Sequence, residues 1–461
     1  MTNGSAHFVV LAGLACGLVA PASSAQTTTS QPPLVLAQPE PQTGPPPVIT
    51  LQDALERARR LDAQFQAAAT DAVIAREDRV QARASLLPAF SESTQYLGTQ
   101  GDTPLATGRF VSNDGVNLYR EWAIARGEVT AGTFLRTPVR RAQAGAALAE
   151  ARLEVARRGL AVTVTQRYYA LVSAEHRYAT AQQAVATAQR FLDIAQREQN
   201  LGQVAQSDVI KADISYQQQQ QGFREATLQM ENARLALAVL LFPTLNQNFT
   251  VVDDLSVAPG LPPFPDVRTM AERGNPDLRA ANEALRMAQQ DVSGARQAFL
   301  PSLTYDLVYG IEANQFALHS VAVAQPELGV LPNPGYFVTF NLAIPIWDWG
   351  TMRSKLHQSR ARQTLAEVEL SQTQRLIVSN LYSFYNEALA ARANADGAQR
   401  VAELATESLR LTNLRYEAGE SSALEVVDAQ NTLVQARDSY DAALTRYRVA
   451  LAQLQTVTGP F

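Results

Sequence analysis

Chemistry needs titratable groups brought together, and this sequence offers few. The four histidines, His7, His176, His319 and His357, are scattered, and no two stand at a helical spacing that would grip a metal. Cys16 is the only cysteine, so no intramolecular disulfide can form. No phosphate-cradling glycine loop and no nucleophile elbow occurs. The sequence therefore points away from an enzyme, and no cofactor is expected. What remains is charge and aromatic character. Glu425 and Asp428 lie three apart, which on a helix puts both on one face. By spacing alone such a pair is simply a solvated face. Half a chain earlier Asp208 and Lys211 occupy the equivalent places, with one sign reversed. Gly202 and Gly419 stand just before these pairs and suit the left-handed backbone of a tight turn between helices. Trp347 and Trp349 suit either a membrane interface or packing at a strand end.

The elements that carry these residues follow from periodicity. Val426, Ala429, Leu433, Ala436, Tyr440, Ala443, Tyr447, Ala450, Leu454 and Val457 alternate steps of three and four. That is a heptad pattern, the mark of a helix wound against a neighbour. Alanine alternates with a large residue, so helices can approach closely. The turn at Tyr416–Ser422 precedes it, giving a long helical hairpin. The pattern recurs earlier. Gly202 and Gly419 are 217 apart (419 − 202), and Val209, Ala212, Tyr216, Phe223, Ala226, Met230 and Ala233 repeat the heptad at that offset. Leu86-Leu87-Pro88 answers Phe299-Leu300-Pro301. The chain reads as an internal duplication.

Between helices the period changes to two. Leu303, Tyr305, Leu307, Tyr309 and Ile311 alternate with Thr304, Asp306, Val308, Gly310 and Glu312. Val338, Phe340, Leu342, Ile344 and Ile346 form a second run. One apolar and one polar side over about ten residues is what a membrane-spanning strand needs, though a half-buried strand of a soluble sandwich would look alike. In the first half, Phe90–Leu97 and Val116–Ile124 are the matching strands, with Arg120 an awkward guest. Helices are expected from Thr50 to Leu87 and from Arg136 to about Asn200. About 65 helical residues would reach roughly 100 Å, too long for a globule. Four strands cannot close a barrel, and an open edge is not viable in lipid. Other copies of the chain must complete both.

Composition sets the remaining bounds. The formal charge of −5, from 39 basic and 44 acidic residues, gives no basic face for nucleic acid. Phe8–Ala20 is apolar and Ser23-Ser24-Ala25 suits cleavage before Gln26, so residues 1–25 are expected to be a signal peptide. A lipoprotein anchored at Cys16 fits less well. Residues 26–47 are a Pro/Thr/Gln-rich tether. The first repeat is expected over 48–250, a linker over 251–265 and the second repeat over 266–459.

Asn200-Leu201-Gly202 with Asp208-Val209-Ile210-Lys211-Ala212, Arg415-Tyr416-Glu417-Ala418-Gly419 with Leu424–Gln430, and Pro345-Ile346-Trp347-Asp348-Trp349-Gly350 together resemble the outer-membrane efflux protein family, the TolC-like channel-tunnels. In the first repeat Val129-Thr130-Ala131-Gly132-Thr133 departs from the proline–aromatic junction. The resemblance implies a mostly α protein with a transmembrane β part. A homotrimer would close a twelve-stranded barrel in outer-membrane lipid, continued by a coiled-coil helical tunnel across the periplasm. It implies two partners, a periplasmic adaptor docking at the tip turns around Gly202 and Gly419, and an inner-membrane pump. It also implies that Glu425 and Asp428 ring the periplasmic aperture. The function implied is passive export of small molecules. The alternatives are a duct for ABC-driven protein secretion, or a periplasmic coiled-coil scaffold without a pore.

Overall fold

Thr50 opens the first helix. Its hydroxyl accepts the Asp53 N–H at 3.1 Å, and the Asp53 carboxylate accepts the Thr50 N–H at 3.2 Å. This reciprocal cap satisfies two amides that have no partner inside the helix. In the computed structural model the described residues are 45–98, 117–202, 204–244, 248–257, 259–313, 316–319 and 332–460. The expected signal segment, Cys16 and most of the tether lie outside them.

The element order is β1 (Val48–Ile49), α1 (Leu51–Leu61), α2 (Ala63–Ala84), β2 (Ala89–Gly98), β3 (Asn117–Val129), α3 (Ala131–Leu135), α4 (Thr137–Asn200), α5 (Gln206–Leu241), β4 (Thr250–Val251), α6 (Phe264–Gly274), α7 (Pro276–Gln297), β5 (Ser302–Ala313), β6 (Pro334–Ala343), α8 (Thr351–Glu417) and α9 (Ala423–Thr458). The first helical stretch is not continuous to Leu87 as the pattern suggests. It breaks at Asp62, whose carboxylate accepts the Phe65 N–H at 2.7 Å and restarts the helix. An Asp cap competes with the helical ladder without any proline. Asn275 does the same between α6 and α7, aided by Pro276.

The strands form one antiparallel sheet in the order β2-β3-β5-β6. Leu303, Tyr305, Leu307 and Tyr309 of β5 lie opposite Leu342, Phe340, Val338 and Tyr336 of β6, so the apolar residues share a face. The other face is mixed, with Trp122, Ile124, Val308 and Phe337 interleaved with charged and polar residues. There Arg126 meets Asp306 at 2.6 Å, and Arg120 meets Glu312 at 2.9 Å and Gln95 at 3.0 Å. Arg120 is thus no misfit. It faces the mixed side, and β3 runs on to Val129. The apolar face carries a polar interruption at Glu92, Thr94 and Glu121, where Thr94 donates to Glu121 at 2.6 Å. That interruption blurred the alternation in the first half. Trp122 covers Gly310 and meets Phe337 edge-on, with ring centroids 5.8 Å apart. A Cβ on Gly310 would come within 1.8 Å of the Glu121 carbonyl oxygen, so only glycine fits. β6 ends at Ala343, short of Ile344 and Ile346, because Pro345 has no N–H to give the ladder. Pro334–Ala343 and Ala89–Gly98 are the sheet's two edges, and neither has an outer partner among the described residues.

The main core lies midway along the helices. Ala54 and Ala58 of α1, Val164, Tyr168 and Leu171 of α4, and Leu237 and Leu241 of α5 are buried there beside Phe249 and Leu255. The short parallel pairing of β1 with β4, which periodicity did not announce, closes its side. The Tyr168 hydroxyl accepts the Val252 N–H at 3.0 Å and donates to the Val252 carbonyl at 2.8 Å. Arg448 of α9 stacks over the Tyr169 ring and donates to the carbonyls of Asp254, Leu255 and Val257. Arg158 of α4 donates to Thr456 O at 2.9 Å and to Gly274 O at 3.1 Å. One guanidinium thus satisfies the C-terminal carbonyls of two helices.

His176 joins three elements. Its Nδ1 lies 3.1 Å from Asp441 of α9, and its Nε2 lies 2.7 Å from Asp253 beside β4. The hydrogen bond to Asp441, and then that to Asp253, raise its pKa to about 9 against the cost of burial. The folded pKa exceeds the unfolded value, so the stabilisation is complete below about pH 6.5 and is lost as pH rises through about 9. Thermal unfolding in detergent should show wild type losing on the order of 1–2 kcal/mol between these limits, after allowing for solvent screening. A His176→Gln variant should show no such slope.

Candidate functional site

The two hairpin turns come together at one end of the helices. Gly202 has φ 74° and Gly419 has φ 77°, the left-handed region that both positions were expected to need. Around them Phe191, Leu192 and Ala195 of α4, Ala212 of α5, Tyr416 of α8, and Ala423 and Val426 of α9 form a buried cluster. The heptad alanines make this close approach possible. The first hairpin and the second therefore pack against each other rather than standing apart.

Tyr416 is one link between them, near the turns, and spacing alone did not assign it that role. Its hydroxyl donates to Glu198 of α4 at 3.0 Å, and its ring meets Phe191 edge-on at 5.1 Å. Burial, and then the neighbouring Glu198, hold the phenol well above its usual pKa, so it stays a donor. The sequence marked it only as part of the Arg415–Gly419 turn motif.

The acidic pair divides. Glu425 closes a capping box. It accepts from the Ser422 N–H at 3.3 Å and from the Ser421 hydroxyl at 3.0 Å, and Arg415 lies 3.6 Å away. These bonds, the backbone one first, hold its carboxyl below the usual range. Its side chain is committed to starting α9, which spacing could not reveal. Asp428 is exposed and makes no ion pair among the described residues. In the first hairpin Lys211 pairs with Asp208 of its own helix, at 3.4 Å. Within the chain it does not latch a neighbouring hairpin. Gln430, just beyond Asp428, is buried with neither amide atom hydrogen-bonded.

At the opposite end of α8, Trp347 and Trp349 are 76% and 89% exposed. They pack on each other edge-on at 5.8 Å and on no core. Trp349 adopts φ 57°, a left-handed value that only glycine adopts without strain. Asp348 fixes the turn by accepting the N–H of Gly350 at 3.0 Å and of Met352 at 2.5 Å.

No helix among the described residues is long and apolar enough to cross a membrane. An amphipathic sheet with open edges is joined to helices of 64 and 67 residues that end in two packed turns. The sequence profile of the outer membrane efflux proteins matches residues 51–241 and 267–460. The chain belongs to the outer membrane efflux protein family. It is 28% identical over 237 residues to the pyoverdine export outer membrane protein OpmQ of Pseudomonas putida, covering 49% of this chain and 45% of that one. It is 24% identical over 316 residues to the cobalt-zinc-cadmium resistance protein CzcC of Cupriavidus metallidurans, covering 68% and 70%. The chain thus spans less than half the length of the OpmQ protein it matches. Among solved structures, the Campylobacter jejuni CmeC outer membrane channel superposes with a TM-score of 0.73 at 20% identity, covering 89% of this chain and 85% of that one. That likeness carries the fold. The protein is an outer-membrane protein whose helical part extends into the periplasm.

The capping geometry separates the two acids experimentally. Glu425→Ala should loosen the start of α9 by about 1 kcal/mol, seen as faster hydrogen exchange over 422–428. Asp428→Ala should leave that exchange unchanged.

Proposed function

We infer that the protein is the exit duct of a tripartite efflux system. Three chains close edge β2 of one copy onto edge β6 of the next, giving a twelve-stranded barrel that continues as a helical tunnel. The observation that carries this reading is the sheet: four strands, one face mainly apolar, the other holding the ion pairs, both edges open. Unpaired edges are not tolerated in hydrocarbon, so the sheet must be completed. The two matching halves are read as an internal duplication, with repeats at 48–250 and 266–459 joined by 251–265. The duct is passive. Energy comes from an inner-membrane pump, and a periplasmic adaptor docks on the turns at Gly202 and Gly419. The cargo is small molecules, consistent with the pyoverdine export and metal-resistance roles in the names of its relatives. The amphipathic sheet argues against a scaffold without a pore, because a scaffold has no use for it.

At the tip, Asp428 is the free carboxylate of the acidic pair and the aperture residue. Repeated by three-fold symmetry it forms a ring of one sign, which concentrates counter-cations in a narrow opening. The Tyr416–Glu198 bond, tying α8 to α4, is what holds the aperture narrow at rest.

Mass measurement in mild detergent should give a trimer, and a folded monomer that persists on dilution would end the shared-barrel reading. In planar bilayers, Asp428→Ala should lower cation selectivity and weaken block by trivalent cations by about tenfold or more. Tyr416→Phe should raise the open fraction. Wild-type selectivity and block in Asp428→Ala would remove Asp428 from the aperture.

A further inference from the structure

The two long helices that follow the sheet carry cations and no acid in their own first turns, although the Asp348 carboxylate caps α8 from the preceding turn. A helix N-terminus is the positive end of its dipole and favours acidic residues. Helices α1, α5, α6, α7 and α9 each carry an Asp or Glu in the first turn. Helices α4 and α8 carry none, and neither do α2, which the Asp62 side chain caps, and the five-residue α3. Instead α4 begins with Arg136 and Arg140, and α8 with Arg353 and Lys355. The first acidic residue of α4 is Glu150 and that of α8 is Glu367. All four cations are exposed, and none makes an ion pair or a side-chain hydrogen bond among the described residues. Nothing among the described residues neutralises them.

The residues just before them are apolar and equally exposed. Phe134 is 78% exposed ahead of Arg136, and Ile346 is 90% exposed beside Trp347 and Trp349, ahead of Arg353. Both junctions also hold a non-glycine residue in the left-handed region, Arg136 at φ 53° and Trp349 at φ 57°. Ile346 continues the alternation of Phe340 and Leu342, the lipid face of β6. Each junction therefore runs from a hydrocarbon-facing strand, through exposed aromatic side chains, to unpaired cations. That is the order of layers in a lipid leaflet: acyl chains, interface, phosphate.

We propose that these two junctions form a cationic collar, at the base of the barrel, that docks on the headgroups of anionic phospholipids in the periplasm-facing leaflet. Trp347 and Trp349 sit at the level of the glycerol backbone, and the four cations contact the phosphates. Charge complementarity and continuity with the lipid face of the sheet both select a lipid surface as the occupant. The inference rests on the strands lying in the membrane, and not on the cargo or on the partners of the duct.

The test uses the full-length protein reconstituted in phosphatidylcholine bilayers with a minority of phosphatidylglycerol, and spin-labelled versions of both lipids. Planar-bilayer conductance first establishes that barrels have formed, so a failure to insert is distinguished from a failure of the collar. Wild type should retain phosphatidylglycerol about threefold or more over phosphatidylcholine in low salt, falling towards unity in about 1 M salt, where surface charges are screened. The fourfold variant Arg136→Gln, Arg140→Gln, Arg353→Gln and Lys355→Gln should lose the preference and keep its conductance. Lipids brominated near the glycerol backbone should quench the fluorescence of wild type more than that of Trp347→Phe/Trp349→Phe. A wild-type preference of unity overturns the proposal without need of the variant. So does a variant that keeps the lipid preference but changes the ratio of cation to anion permeability, since the cations would then serve the duct.

Discussion

A strand edge presents a row of amide and carbonyl groups, and hydrocarbon offers nothing to bond them. Everything distinctive in this chain is arranged around that constraint. β2 and β6, the first and last strands of the sheet, leave both edges open. A second copy is the natural mate for each, because the sheet carries its own complement at the opposite margin. In the assembly we propose, copies meet edge to edge, and the long helices joined to the strands then meet as well. Their alanine-rich heptads then have a purpose that a single chain cannot show. Many apolar side chains of α8, such as Leu365, Val368 and Leu376, are exposed in one copy. Exposed apolar residues at that density are what an unassembled protomer displays.

Inside the chain, arginine does the tying. The protein has few large apolar side chains to spare for a core along helices this slender. It uses carbonyls at helix and linker ends as acceptors instead. Arg158 and Arg448 together bond the ends of α6 and α9 and the segment after β4. A hydrogen bond to a charged group contributes about 1.5–3 kcal/mol, roughly twice a neutral one. These two residues therefore fix how the halves sit on each other at little cost in volume.

Much of this was legible in the sequence. Heptads announced the hairpins, and Gly202 and Gly419 announced their turns, because both signals are local and repeat. Strands β5 and β6 were legible for the same reason. The cap at Asp62 was not, since an Asp on a helix surface and an Asp that restarts a helix look alike until the backbone is seen. The strand pair β1–β4 was hidden because two residues give no period. At the tip, spacing correctly put Glu425 and Asp428 on one helix but could not divide their duties. A capping box depends on which way a serine hydroxyl turns. Tyr416 was visible as part of the turn, but its bond to Glu198 was not, because that partner lies in the other half of the chain.

The parallel pairing of Val48–Ile49 with Thr250–Val251 has a consequence for biosynthesis. A chain that emerges from a translocon amino end first must hold its opening residues unpaired while some two hundred more pass through. The Thr456 carbonyl that Arg158 grips arrives later still, 298 residues after Arg158 itself. Contacts so distant along the chain close slowly, because the loops between them must close first. The exposed strands meanwhile are prone to stick to one another. Such a protein cannot mature piece by piece as it is delivered. Its core closes only once segments far downstream along the chain are free to pair.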